Sequence, residues 1–325
     1  TGYQRSRKTR FAVKCADVFS TWLIGVGGIG TVIAVSTVCV FLLWVAIPLL
    51  QKASIEKEHV IDPIPHPARC LRVASDEHRL MCWALMDDGR LLSFRQDNGD
   101  RLEEVALFEK TNRITAASFS TDSSSVALGF EDGSVVLGDL GFQTSFVDAS
   151  DASAALRQLE IGAHARQGAA MVERISRDQF RAQTLRARLE EPVDGVFTSP
   201  IRRLTHVQSE DTYMFAALSE EAQLSVYHLE SRKNILTGKV TFRSRSAQVP
   251  YTPRPTAGPP RFAVLSGLGS HMILAWKDGY GLRFNVRDFD NPFVMETLNF
   301  VDGDSSATLT ELTSLLCGTT ILAGY

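Results

Sequence analysis

The stretch ITAASFSTDSSSVALGFEDGSVVLGDL, residues Ile114–Leu140, contains three short apolar runs that are separated by turn-forming residues. Ser and Asp residues lie between the first two runs, and Asp132-Gly133 lies between the last two. An Asp-Gly pair favours a two-residue hairpin turn, because that turn needs positive φ, which Gly and, less easily, Asp tolerate. The stretch therefore predicts three consecutive antiparallel β-strands.

The same hairpin pattern recurs along the chain. It is found in MCWALMDDGRLLSFR (Met81–Arg95), TYMFAALSEEAQLSVYHLE (Thr212–Glu230) and HMILAWKDGYGLRFNV (His271–Val286). The turn residues Asp88 and Asp132 are 44 positions apart, and Glu220 follows Asp132 by 88 positions, which equals two such periods. We therefore expect AAMVERISRDQFRAQTLRARLEEPV (Ala169–Val193) to supply strands of an intervening unit, although a helix also fits part of it.

A period of about 40–45 residues with four short strands is typical of a β-propeller blade. The segment Ile114–Leu140 resembles a WD40 blade in its order of strands and turns, but it contains neither a Trp-Asp dipeptide nor a Gly-His pair. The sequence predicts a mainly β fold with a β-propeller-like domain over residues 68–325. An irregular β-sandwich is the alternative.

Ahead of this domain, residues 18–51 form a run of 34 positions without Asp, Glu, Lys, Arg or His. The run includes GVGGIG (Gly25–Gly30), which matches the glycine spacing of a dinucleotide-binding loop. Such a loop needs a strand before it and an acidic residue about 20 positions after it. Position 50 is Leu, and the first carboxylate after the glycines is Glu56. A nucleotide site is therefore not predicted.

The run is instead typical of a transmembrane helix. Trp22 and Trp44 are 22 residues apart, which corresponds to roughly 33 Å of helix, close to the thickness of the hydrocarbon core of a bilayer. Indole rings favour the membrane interface, so both residues are predicted to be interfacial anchors. Pro48 is expected to end the helix near Ala46 or Ile47. A cleaved signal peptide is the alternative, although its apolar region is usually about 7–15 residues long.

Small side chains follow helical spacing along this segment at Gly27, Gly30, Thr31, Ala34 and Thr37. A stripe of this kind lets a second helix approach closely, so that dispersion replaces the missing hydrophobic drive within lipid. We therefore predict that this face packs against other membrane helices.

The distribution of basic residues predicts the orientation. Five Lys and Arg residues precede the apolar run with only Asp17 opposing them, whereas after the run Lys52 and Lys57 are balanced by Glu56 and Glu58. Basic flanks stay in the cytoplasm. The predicted organisation is a cytoplasmic N-terminus (1–17), a transmembrane helix (18–50), a linker (51–67) that ends in DPIPHP, and an exported domain (68–325).

Composition excludes several function classes. A net charge of −3 and a pI near 6.2 argue against a nucleic-acid surface. The cysteines available after export are Cys70, Cys82 and Cys317, so at most one disulfide is expected there. No metal-ligand or catalytic motif is present, and we expect no cofactor, no metal site and no enzymatic activity.

We assign no functional site to three groups of polar residues. The histidines His66, His206, His228 and His271 are expected to be ordinary loop or strand residues. The arginines of QFRAQTLRARLEEP, which are Arg181, Arg186 and Arg188, are expected to face Glu190 and Glu191 on a solvated surface. Arg202 and Arg203 are adjacent and are expected to point to opposite faces of a sheet.

The segment ILAGY (Ile321–Tyr325) aligns with ALGF (Ala127–Phe130), which precedes a hairpin turn in the stretch first quoted. A strand that ends there leaves backbone groups unpaired. Because residue 1 is also not Met, we expect the sequence to be the N-terminal part of a longer chain, with a β domain that continues beyond Tyr325.

The glycine-bearing helix, the basic N-terminus and the segments HPARCLRVASDE, VALGFEDGSVVLGDLGFQT and SPIRRLTHVQ resemble the N-terminal part of phosphate ABC transporter permeases of the PstC kind. In some proteobacterial members a periplasmic WD40-like domain follows the first transmembrane helix. The resemblance covers essentially all of this chain, but the remaining membrane helices and the ATPase-coupling loop of the family have no counterpart in it.

The resemblance implies a permease subunit in the bacterial inner membrane with a periplasmic propeller. It implies as partners a second permease subunit, cytoplasmic ATPase subunits and a periplasmic phosphate-binding protein. No translocation residue is implied, because those positions have no match here. The alternative function is a single-span, membrane-anchored propeller that acts as a scaffold or assembly factor without a transport role.

Overall fold

The computed structural model describes residues 11–47, 68–108, 112–120, 123–209, 212–233, 240–254, 256–266, 269–301, 307–315 and 320–325. The chain separates into two compact units, Thr1–Glu58 and His59–Tyr325. Residues 1–10 and 48–67 lie outside the described ranges, so the predicted cytoplasmic segment and linker remain predictions.

The first unit contains one long helix, α1 (Phe11–Ala46). Its end agrees with the position predicted from Pro48, because proline disfavours helix at the residue before it. The helix begins seven residues before the predicted start at Val18, since Phe11–Asp17 contains neither Pro nor Gly to interrupt it. Within the span Val13–Ala46, an 18-residue window has a mean hydropathy of 2.4 and no buried residues, and the span is long and apolar enough to cross a membrane.

The second unit is built almost entirely from β-strands. The strands are β1 (Cys70–Ser75), β2 (Met81–Met86), β3 (Arg90–Arg95), β4 (Arg101–Ala106), β5 (Ile114–Phe119), β6 (Ser125–Phe130), β7 (Val135–Asp148), β8 (His164–Gln167), β9 (Ala170–Arg174), β10 (Gln179–Leu189), β11 (Ile201–Ser209), β12 (Thr212–Ser219), β13 (Leu224–Lys233), β14 (Val240–Gln248), β15 (Phe262–Leu265), β16 (His271–Ala275), β17 (Tyr280–Asn285), β18 (Phe293–Asn299), β19 (Glu311–Leu315) and β20 (Thr320–Gly324). A short helix, α2 (Ala154–Arg157), lies between β7 and β8.

These strands form successive antiparallel sheets, which we call blades 1 to 5. Their strand orders are β1-β2-β3-β4, β5-β6-β7-β10-β9-β8, β11-β12-β13-β14, β15-β16-β17-β18 and β19-β20. Each blade begins with a hairpin-connected meander, so neighbouring strands in the sheet are mostly neighbours in sequence. The fold is therefore mainly β, with one apolar N-terminal helix followed by the blades of a WD40-like β-propeller.

The hydrophobic core lies between consecutive blades. Leu137 of blade 2 packs with Phe215 of blade 3, and Leu218 of blade 3 packs with Trp276 of blade 4. Within blade 3 the rings of Phe215 and Tyr227 stack with centroids 4.8 Å apart. Each blade thus buries an apolar face against the next one, which is what holds a propeller together.

The four predicted hairpins are confirmed as β2–β3, β6–β7, β12–β13 and β16–β17, but the predicted turn type is wrong. Each loop is longer than two residues, and positive φ is confined to one position: Gly89, Gly133 and Gly279 have φ of +84°, +79° and +82°. In blade 3 the same position is taken by Ala222, with φ of 62°. Glycine is favoured there because a side chain strains the left-handed conformation.

The Asp of each Asp-Gly turn has a different role from the one predicted. In the first turn the Asp88 carboxylate accepts a hydrogen bond from the backbone N–H of Arg90 (3.2 Å), and in the second turn Asp132 does the same for Ser134 (3.0 Å). Aspartate therefore stabilises the loop through its side chain rather than by adopting positive φ.

The prediction for Ala169–Val193 is also wrong in one respect. The segment does form strands, β9 and β10, but they extend blade 2 instead of making a separate blade. Strand β7 has 14 residues, and β10 pairs with it from Gln179↔Asp148 to Leu189↔Gly138. The 88 residues between Asp132 and Glu220 therefore contain one enlarged blade, not two periods.

This enlargement, residues 141–187, packs against blade 1. Met171 is fully buried with Met81 and Leu102 of blade 1. The guanidinium of Arg166 donates to the carbonyl oxygen of Leu102 at 2.7 Å, and His164 Nε2 lies 3.1 Å from a carboxylate oxygen of Asp97. The additional strands therefore cover the outer strand of blade 1 and satisfy some of its free backbone groups.

Candidate functional site

The predicted packing stripe lies on α1. At about 100° per residue, Gly27, Gly30, Thr31, Ala34 and Thr37 occupy one face roughly 120° wide. The Thr31 hydroxyl donates to the carbonyl oxygen of Gly27 at 2.9 Å, so its hydrogen-bond donor is satisfied within the helix. A Cβ atom added to Gly27 or Gly30 would meet nothing within 4 Å. The stripe is therefore open for a partner helix, and that use stays a prediction.

The predicted interfacial anchors are exposed near the two ends of the apolar span. Trp22 and Trp44 have 66% and 71% of their surface accessible. The side chains of α1 whose burial is described are all exposed. An apolar helix without cover in water is unfavourable by about 25 cal/mol for each Å² exposed.

In the second unit, the first strands of blades 2 to 5 line a central cavity of about 440 Å³. These are β5, β11, β15 and β19. Polar lining groups include Ser118, Thr205 and Thr313, and Glu311 contributes a carboxylate. These hydroxyl and carboxylate groups offer hydrogen-bond partners to a hydrophilic ligand.

His206 lies beside this cavity and joins blade 2 to blade 3. Its Nδ1 is 2.8 Å from the Ser118 hydroxyl oxygen, and its Nε2 is 2.9 Å from that of Ser125. Burial lowers the pKa of His206 to about 4, so the ring is neutral at pH 7. Both ring nitrogens are occupied by serine hydroxyls and neither contacts a carboxylate among the described residues, so the geometry is that of a structural link.

The other histidines are dispersed, as expected for strand residues. His228 lies in β13 and His271 in β16, whereas His66 is outside the described residues. Within the described part of the chain, no three His, Cys, Asp or Glu side chains are arranged to hold a metal ion.

Of the β10 arginines Arg181, Arg186 and Arg188, one forms a predicted ion pair within the described residues. Arg188 pairs with Glu190 at 3.1 Å. Arg181 instead pairs with Glu173 on the neighbouring strand β9, at 2.5 Å. Glu173 was not predicted as a partner of Arg181, because their contact depends on the pairing of β9 with β10.

Sequence reasoning also missed an arginine cluster at one end of the propeller. Arg202 and Arg203 were expected to point to opposite faces because side chains alternate along a regular strand. In β11 a register shift between Ile201 and Arg203 interrupts this alternation. The Arg203 guanidinium donates to the carbonyl oxygens of Arg202, at 2.8 Å, and Arg261. The sequence did contain one signal for this cluster, which is an arginine at the start of the first strand in four successive blades.

Cys70 and Cys82 are free thiols in the structure. Burial is the main cause that raises the pKa of both, so neither is an activated nucleophile. Cys317 lies outside the described residues.

Comparison with known proteins adds a fold likeness only. No protein-family model matches the chain, and no curated protein matches it. A similar solved structure is the β-propeller domain of Cps50 (Swd1) from Myceliophteria thermophila, with 13% sequence identity and a TM-score of 0.41. The alignment covers 79% of this chain and 64% of that domain, so the chain spans less than two thirds of its length.

Proposed function

We propose that the chain is a membrane permease subunit of an ATP-binding-cassette importer, with inorganic phosphate as its cargo and with a periplasmic propeller as a docking or regulatory module. The observation that carries the membrane part is α1, an apolar helix of 36 residues whose described side chains are all exposed. Hydrocarbon is the surrounding in which such a helix is stable. The transport part is supported by the resemblance of the helix, linker and blade segments to PstC-type permeases.

In this proposal α1 packs through its small-residue stripe against other permease helices. The propeller lies on the periplasmic side and serves as a docking or regulatory platform, with the phosphate-binding protein as the partner. ATP hydrolysis occurs in separate cytoplasmic subunits, so this chain needs no catalytic residues and no cofactor of its own.

Deletion of residues 68–325 with α1 retained tests the platform role. Phosphate uptake by cells and association with the binding protein are the two quantities to measure. We expect at least one of them to fall. If both are unchanged while the truncated protein is present in the membrane at normal abundance, the propeller has no platform role in transport.

A second candidate is a single-span anchored propeller that acts as a scaffold or assembly factor. It is supported by the same helix and by the broad set of strand edges and loops that the blades present. Purification of the intact chain in mild detergent separates the two functions. Co-purification of an ATPase pair favours the importer, and recovery of other envelope proteins without an ATPase favours the scaffold.

A further inference from the structure

Arginines recur at the beginning of the first strand in blades 1 to 4. Arg69 directly precedes β1, Arg113 directly precedes β5, Arg202 is the second residue of β11, and Arg261 directly precedes β15. Because each blade repeats the same strand order around the axis, the beginnings of these strands lie at the same end of the propeller. The repeat therefore places basic side chains at one end of the propeller.

Arg203 is at the centre of this group. Its Nη1 donates to the carbonyl oxygen of Arg202 at 2.8 Å, and its Nε donates to the carbonyl oxygen of Arg261, which belongs to the next blade. Two backbone acceptors thus hold the guanidinium at the junction of blades 3 and 4. A guanidinium fixed in this way loses little further conformational entropy when it binds a ligand.

The charge immediately around Arg203 is mainly positive. Burial, and then the nearby charges of Arg202, Arg261 and Arg69, lower the pKa of Arg203, while only Glu220 acts in the opposite direction. Glu220 already pairs with Arg202 at 3.3 Å. Within the described residues, Arg69, Arg203 and Arg261 form no ion pair.

Carboxylates lie at this end too, because Asp87, Glu131 and Glu220 belong to turns beside the beginnings of β1, β5 and β11. Arg113 lies 4.0 Å from the carboxylate of Asp87, and that carboxylate also accepts the backbone N–H of Arg69. Glu311 is the carboxylate that lines the central cavity. Arg203 itself has no ion-pair partner among the described residues, so a bound anion would offset the repulsion from its arginine neighbours.

We propose that Arg203, with Arg69, Arg202 and Arg261, forms a binding site for a tetrahedral oxyanion of the phosphate or sulfate type at this end of the propeller. A tetrahedral anion offers several acceptor oxygens, so that more than one guanidinium donates to it at once. This site belongs to the propeller itself and does not depend on the transport role.

The test is isothermal titration of the intact chain in neutral detergent with sodium phosphate, and with sodium sulfate in a parallel series. Sodium chloride at matched ionic strength is the reference. We compare the unmodified protein with Arg203→Gln and Arg261→Ala, and use Arg186→Ala as the matched control, since Arg186 is an exposed arginine on β10 away from the cluster. Circular dichroism verifies that each variant is folded.

We expect saturable binding of phosphate or sulfate, a loss of about tenfold in affinity for Arg203→Gln, and little change for the control, because a charge-assisted hydrogen bond contributes about one such factor. Arg261→Ala keeps the carbonyl that holds Arg203, so its loss of affinity reports charge rather than misfolding. A parallel titration with detergent micelles that contain a phosphomonoester lipid distinguishes a lipid phosphate from the free ion.

Equal heats for phosphate, sulfate and chloride at matched ionic strength would overturn the site. So would an affinity loss in the Arg186 control as large as that in the two cluster variants. If neither cluster variant changes the affinity, the anion binds elsewhere and the proposal is wrong.

Discussion

Substitution of Gly133 by Ala tests the turn geometry that defines the blades. Gly133 has φ of +79°, and an added Cβ would lie 2.2 Å from the carbonyl oxygen of Phe197 and 2.9 Å from that of Ser199. These are backbone atoms of the segment that follows blade 2, so they yield less readily than a flexible side chain. The left-handed conformation costs an alanine about 1–2 kcal/mol, and forced overpacking costs about 1–3 kcal/mol.

The two terms together predict a loss of about 3 kcal/mol in the free energy of unfolding, or about 6–12 °C in Tm for a domain of this size. Gly195→Ala is the matched control: Gly195 also has positive φ (+70°), but a Cβ there meets nothing within 4 Å. This control should lose only the conformational share, about 1–2 kcal/mol.

Ala222 provides the converse change at the equivalent turn of blade 3, since it already occupies the left-handed conformation at φ of 62°. Ala222→Gly relieves this strain and loses some chain entropy, for a net gain of about 0.5–1 kcal/mol. Urea unfolding of the intact chain in detergent, followed by circular dichroism and tryptophan fluorescence, measures all three variants. Equal losses in Gly133→Ala and Gly195→Ala would refute the close backbone approach, and a destabilised Ala222→Gly would refute the turn equivalence.

Three further predictions follow from buried contacts and from the open helix face. Burial lowers the pKa of His206 from 6.5 to about 4, so the stability that the neutral ring contributes is complete above pH 6.5 and is lost as the pH falls towards 4. We expect the free energy of unfolding to decrease by about 3 kcal/mol over this range. In a His206→Gln variant, the free energy of unfolding measured in urea should depend less on pH over the same range. Met171→Ala removes a fully buried contact between the enlargement of blade 2 and blade 1. The substitution should lower the free energy of unfolding by about 2–5 kcal/mol and should speed trypsin cleavage within residues 141–187. An unchanged cleavage rate would contradict the packing. Gly30→Leu should leave the unfolding of the propeller unchanged, because nothing lies within 4 Å of the added Cβ. It should reduce co-purification of other membrane helices with the chain. Unaltered recovery of those helices would count against the small-residue stripe as a packing face.

The sequence was most informative where structure is determined locally. Asp87-Asp88-Gly89 and Glu131-Asp132-Gly133 stand between alternating apolar runs, and both produced the predicted hairpins. Turn chemistry and period-two alternation act over a few residues, so they can be read without knowing the rest of the fold. The end of α1 was predictable for the same reason, since Pro48 acts on the residues directly before it.

Features that depend on distant pairing were not predictable in this way. The period of 44 residues assumed equal blades, but β10 returns to pair with β7 across an intervening helix and two strands. The regular pairing of β11 with β12 is likewise interrupted at Arg202 by a register shift, which local alternation does not reveal. The arginine cluster arises only when the beginnings of separate strands meet at one end of the propeller, which no local pattern encodes.

The central proposal is that α1 crosses the membrane and that the propeller lies on its far side. Single-cysteine variants that retain either Cys70, which is exposed at the start of β1, or Cys15, near the start of α1, report the two sides. A membrane-impermeant maleimide added to intact spheroplasts at pH 8.5 should label Cys70, and should label Cys15 only after permeabilisation. Labelling of Cys15 but not Cys70 before permeabilisation, or recovery of the intact chain in the soluble fraction without detergent, would contradict the proposal.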